Sequence, residues 1–112
     1  MNGEFNVYQR NAMRTLSEEC KQDPDKALLN AVLGLCGEAG EVADHVKKHL
    51  FHGHVLHCEK LIDELGDIQW YLAEAAWALD TLLSYVADTN IAKLIKRYPE
   101  GFSSERSINR AE

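Results

Sequence analysis

Two helix-period segments meet at a single break, "HGH", and this arrangement constrains the fold more than any other feature of the sequence. Upstream, Leu28, Leu29, Ala31, Val32, Leu35, Val42 and Val46 recur with the spacing of one broad helical face. They predict a helix over residues 26–50, with Lys47, Lys48 and His49 in a last turn that favours positive charge. Gly53 supplies the left-handed stop. A second helix is predicted over residues 58–78. Both segments carry acids where apolar residues belong. At 100° per residue, Glu38 and Glu41 lie within or beside the upstream apolar face. Glu64 and Asp67 repeat this spacing downstream in "DELGDIQWY", flanked by Leu61, Ile68 and Tyr71.

The two acid pairs correspond across the break, because their common midpoint falls at His52–Gly53. An antiparallel hairpin would therefore bring Glu38, Glu41, Glu64 and Asp67 to one height in a bundle interior. Four unpaired buried carboxylates repel one another and lose hydration. Divalent cations relieve both costs, and an all-carboxylate set without thiolates suits Mg²⁺ or Mn²⁺. Gly34, Gly37 and Gly40 recur every three residues beside the upstream acids, and Gly66 separates the downstream pair. Each costs about 1 kcal/mol relative to alanine inside a helix. The return expected is close approach by a helix or a ligand.

The rest of the chain reads as helix too. A first helix is predicted over residues 6–19, with Asn6 as its N-cap and Val7, Ala12, Met13 and Leu16 as a partial stripe. "KQDPDK" ends it, and Asp25 is expected to cap the next. Asp80 or Thr81 is expected to cap a fourth helix that stops before Pro99. No segment alternates as a strand, so the expected fold is an all-α, four-helix bundle in one domain spanning residues 1–112, with a loose or partner-embracing tail from Ser103.

Composition narrows the function classes. A net charge of −6 argues against a duplex nucleic-acid partner, although bound metal still permits a phosphorylated small molecule. There is no apolar run long enough to span a membrane and no secretory pattern at the start, so a cytoplasmic protein is expected. Cys20, Cys36 and Cys58 lack C-x-x-C spacing and are expected to be reduced, mostly packed thiols.

"GLCGEAGEVADHVKK", "LIDELGDIQWYLA" and "NIAKLIKRYPEGF", in that order, resemble the MazG-like all-α nucleotide pyrophosphohydrolases. The family pattern is E-x-x-E, a spacer, then E-x-x-D; residues 42–63 form the spacer here. The resemblance runs from Leu33 to Phe102, with a weaker echo in "VYQRNAMRT". It implies cleavage of a nucleoside triphosphate to a monophosphate and pyrophosphate, with Mg²⁺ held by Glu38, Glu41, Glu64 and Asp67. Glu38 and Glu41 become the candidate catalytic acids, Glu41 helping to orient the attacking water. Tyr71 would border the nucleotide, and Asn90 and Lys93 would reach substrate. Lys47, Lys48, Arg97 and Tyr98 also match family positions and are candidates for phosphate contact. A homodimer or homotetramer that shares its active sites is implied as well.

Other readings stand beside this one. Trp70 and Trp77 share a stripe suited to packing, and Asp44 to a salt bridge or a supporting contact. His45 and His49 have i, i+4 metal-ligand spacing, and with His52, His54 and His57 they admit a transition-metal site. A nucleotide-sensing or dimerisation module without turnover, or the phosphoribosyl-ATP branch of the superfamily, would use the same fold.

Overall fold

The computed structural model describes residues 2–110, and helices form all of its framework: α1 (Asn2–Ala12), α2 (Glu18–Lys21), α3 (Pro24–His52), α4 (Cys58–Ala78), α5 (Leu83–Arg97) and α6 (Ser104–Ile108). The all-α expectation holds. A 3-10 turn, Met13–Thr15, follows α1. Helices α3 and α4 form the expected antiparallel hairpin, and α1 packs on α4 and α5. No helix among the described residues is long and apolar enough to cross a membrane.

Helix α3 starts two residues earlier than expected. Asp23, not Asp25, is its cap: one carboxylate oxygen accepts from the Asp25 and Lys26 amides, and Pro24 occupies the first helical position. Gly53 ends it at φ 75°, as the sequence predicted.

The expected first helix is broken instead. Leu16 is extended, and the Ser17 hydroxyl accepts from the Cys20 amide to start α2. The Trp70 indole holds the break from the other side, donating to the Ala12 carbonyl and the Thr15 hydroxyl, each at 2.9 Å. Leu16, Cys20 and Ala27 form the buried core there, with Met13, Trp70 and Trp77 packed against it. The packing role expected of the tryptophans is thus observed.

Asn6 does not cap α1, because α1 already runs from Asn2. Its side-chain oxygen accepts from the Ser84 amide of α5 at 3.3 Å. Gln9, buried on α1, accepts from the Leu83 amide at 2.9 Å and donates to the Thr81 carbonyl. Helix α5 is therefore capped by its neighbour rather than by Asp80 or Thr81; its own N-cap, Leu82, offers no side-chain acceptor. Asp80 takes the left-handed conformation, φ 55°, that turns the chain after α4.

The thiol expectation is corrected for two of three cysteines. All three are free, but only Cys20 is buried, while Cys36 and Cys58 are exposed. The tail carries the short helix α6, capped by Ser103 and tied to α5 by the Arg106 side chain donating to the Arg97 carbonyl at 2.8 Å.

The single chain is open. Its radius of gyration is 17.0 Å, where about 13 Å is usual for this length. Its accessible surface is 8211 Å², against about 6,200 Å² for a folded monomer of this mass. The excess is apolar in part: Leu29 and Leu33 on α3, and Ile91 and Ile95 on α5, all lie exposed.

Candidate active site on the helical hairpin

The hairpin register is the one the acid spacing predicted. Glu38 of α3 and Asp67 of α4 line one pocket together, and Glu41 and Glu64 line the next along the hairpin. The same register sets Gly34 against Tyr71 and Asn30 against Glu74. Each of these pairs is centred on His52 or His52–Gly53.

Burial is less uniform than expected. Glu64 is 6% exposed and Glu38 is half-buried, whereas Glu41 and Asp67 are exposed within one chain. Burial raises the Glu38 carboxyl above its ordinary pKa, and the charges of Glu41, Asp67, Glu64 and Asp63 raise it further. The other three predicted acids thus all bear on Glu38. Glu64 Oε2 is buried without a hydrogen-bond partner. A buried unpaired carboxylate oxygen is costly. A cation removes that cost, so this donor set fits a divalent ion. Among the described residues no three acid, histidine or cysteine side chains are yet gathered closely enough to enclose one. The five histidines do not gather into a metal site either: His45 Nε2 accepts from the His57 amide, and His49 Nδ1 lies 2.8 Å from the His54 carbonyl.

The glycines divide. A Cβ on Gly34 would fall 2.2 Å from Tyr71 Cε1, so only glycine lets the tyrosine ring lie against α3. Gly37, Gly40 and Gly66 have open space where a Cβ would point. Close helix approach therefore explains Gly34 alone; Gly37 and Gly40 instead line the 690 Å³ cleft that holds Glu41 and Glu64.

Of the other predicted residues, Tyr71 joins Glu38 and Asp67 in a 330 Å³ pocket, where Trp70 meets it edge-on with ring centroids 5.3 Å apart. Lys48 lines the larger cleft, tied to Asp44 at 2.9 Å; Lys47 reaches the same carboxylate at 3.5 Å from outside. The Lys48 hydrogen bond leads the interactions that hold the Asp44 carboxyl below its ordinary pKa. Asn90 and Lys93 lie exposed on α5 and line neither acid-bearing pocket; Arg97 lies beside α6, with Lys96 and Arg106. The structure therefore divides the acids between two pockets along the hairpin, with Tyr71 in one and Lys48 in the other, and leaves Asn90, Lys93 and Arg97 outside both.

Three neighbours were not singled out from the sequence. Tyr8 of α1 faces Asp67, whose charge adds to burial in raising the phenol's pKa. Its only signal was its place in "VYQRNAMRT". Thr15 borders the Glu38–Asp67 pocket, and Lys60 the Glu41–Glu64 cleft. Neither stands out in a helical pattern.

A family model described as "MazG nucleotide pyrophosphohydrolase domain" matches residues 26–102, which include both acid pairs and all of the hairpin but its first two residues. The chain belongs to the MazG family. It is also similar to the "Gene 37 protein" of Mycobacterium phage L5, with 38% identity over 92 residues, covering 79% of this chain and 81% of that protein. No solved structure matches it. Membership makes this a nucleotide pyrophosphohydrolase-type domain, in a family generally dependent on divalent metal.

Proposed function

We propose that this MazG domain hydrolyses nucleoside triphosphates to nucleoside monophosphates and pyrophosphate, with Mg²⁺ as cofactor and Mn²⁺ as its substitute. The unpartnered Glu64 oxygen carries this reading, in a cleft shared with Glu41 and next along the hairpin from the pocket of Glu38 and Asp67. These four residues would hold the metal. When bound, the ions offset the triphosphate charge and make water a stronger nucleophile at neutral pH. The protein's own part is to place the reactants. Water adds to the α-phosphorus, the bond to the α,β-bridging oxygen breaks, and pyrophosphate leaves. Glu41, on the exposed rim of the cleft, orients that water. Tyr71 borders the nucleoside, and Lys48 contacts phosphate.

Asn90, Lys93, Arg97 and Lys47 serve as substrate contacts only if a second chain closes over the hairpin. We infer such a homodimer or homotetramer from the excess surface and the exposed apolar faces of α3 and α5. Light scattering at micromolar concentration should give a mass of two or four chains; a monomer throughout would refute it.

The main test is incubation of the protein and Mg²⁺ with a panel of standard and modified nucleoside triphosphates. Monophosphate plus pyrophosphate is expected. Diphosphate plus orthophosphate would overturn the cleavage position, and tight nucleotide binding without any product would favour a sensing module.

A further inference from the structure

The two pockets that share the acids differ in chemistry. The one holding Glu38 and Asp67 is walled by Trp70, Tyr71 and Thr15 and contains no cation. The one holding Glu41 and Glu64 extends toward the hairpin turn and is bordered by Lys48, Lys60, His54 and His57. We propose that this asymmetry sets the direction of the bound substrate. The nucleoside lies toward Tyr71, and Lys60, His54 and His57 receive the β- and γ-phosphates that leave as pyrophosphate.

This inference rests on the cleavage reading above, and charge carries it further. Cutting between the α- and β-phosphates requires the α-phosphate at the acids, so the two outer phosphates must project to one side or the other. They carry most of the triphosphate's negative charge and need donors. The aromatic end offers a flat apolar wall and one hydroxyl-bearing side chain at each edge. The turn end offers ammonium and imidazole groups. Within it, Lys48 is already paired with Asp44 at 2.9 Å. Lys60 makes no ion pair among the described residues, so its charge remains available to a ligand. The N-terminus of α4 adds to this. Its N-cap, His57, makes no side-chain cap hydrogen bond, which leaves the positive end of a 21-residue helix beside Lys60. Gly37 and Gly40 add no side chain of their own to the opposite wall, which Glu41, Asp44, His45 and Lys48 also line. Glu64, unpartnered at Oε2 and 6% exposed, marks where this cleft meets the acids.

Product inhibition separates the two ends. Pyrophosphate and nucleoside monophosphate are titrated against turnover of the wild type, Lys60→Ala, His54→Ala and, as a control on α5, Lys96→Ala. Lys60→Ala should weaken inhibition by pyrophosphate roughly tenfold, the loss expected for one charge-assisted hydrogen bond. Inhibition by the monophosphate should stay unchanged. His54→Ala should act in the same direction to a smaller extent, and Lys96→Ala should match the wild type. Equal weakening of both products, weakening of the monophosphate alone, or no change in either would overturn the proposal. Calorimetric binding of pyrophosphate with Mg²⁺ gives a second readout that needs no turnover. If the wild type lacks turnover but binds pyrophosphate, and Lys60→Ala weakens that binding, the cleavage reading fails and this subsite stands. If the wild type turns over and Lys60→Ala binds pyrophosphate unchanged, the reverse holds.

Discussion

Glu64 and Glu74 lie on the same helix, ten positions apart, and both are buried. Their surroundings are opposite. Glu74 is 0% exposed, and the Asn30 amide donates to both its oxygens, at 2.9 and 3.1 Å. Glu64 is slightly more exposed, yet Oε2 has no partner in the cleft it shares with Glu41. A protein can keep a buried carboxylate by completing its hydrogen bonds from within, and it did so at Glu74. Glu64 is left incomplete in the cleft it shares with Glu41, and under the proposed function a bound cation would supply the missing partner. Depth of burial does not separate these two acids; the completeness of their contacts does.

The largest effect expected from this contrast is on turnover. Glu64→Gln should lower pyrophosphate release by about 100-fold or more, since even groups behind metal ligands cost 10- to 100-fold. It should also abolish any rise in melting temperature on adding Mn²⁺. Glu74→Gln should keep both. Comparable turnover in the two variants would erase the distinction.

Stability should show the converse. Asn30→Ala takes away the amide that donates to both Glu74 oxygens, leaving the Cys20 thiol, and should cost about 1–3 kcal/mol in urea unfolding, whereas the Asn30→Ala, Glu74→Leu double variant should recover much of that loss. No recovery would mean that Asn30 acts through some other contact.

The pH dependence follows from the same residue. Burial raises the Glu74 pKa, against the opposing hydrogen bonds from Asn30 and Cys20. The native state therefore holds this proton more tightly than the unfolded chain does. Its contribution to stability is fully present below the ordinary carboxylate range and is lost as pH rises through the raised value. Denaturation between pH 4 and 8 should show that decline in the wild type and a flatter profile in Glu74→Gln; parallel profiles would remove Glu74 as its source.

A smaller effect is expected at Gly34→Ala. The new methyl group must push the Tyr71 ring away, so KM should rise severalfold while kcat changes less. The smallest belongs to Lys47→Ala, an exposed partner of Asp44, which should alter stability by less than about 0.5 kcal/mol.

The sequence made the hairpin legible because two independent signals agreed: an apolar period broken only at Gly53, and acids spaced equally about it. The register that pairs Glu38 with Asp67 and Glu41 with Glu64 was therefore visible before the structure. Other features escaped because they depend on contacts between distant segments. The capping of α5 by Asn6 and Gln9 joins residues more than 70 positions apart, and nothing in "DTLLSYV" reports it. The break at Leu16 was hidden by a continuous helical period, and the Trp70 contact that fixes it comes from α4. Lys60 drew no notice inside its predicted helix, and His54 stood only among the candidate metal histidines, until the cleft placed Glu41 and Glu64 beside them. The exposure of Glu41 and Asp67 escaped as well, because spacing places a residue on a helix face without saying what covers that face.

The cap that α1 provides for α5 makes the two helices a single cooperative unit. Leu83 and Ser84 can exchange their amide hydrogens with solvent only when Gln9 and Asn6 let go. Slow exchange at the start of α5 would then report the opening of α1, and clipping the first helix would release the far one as well.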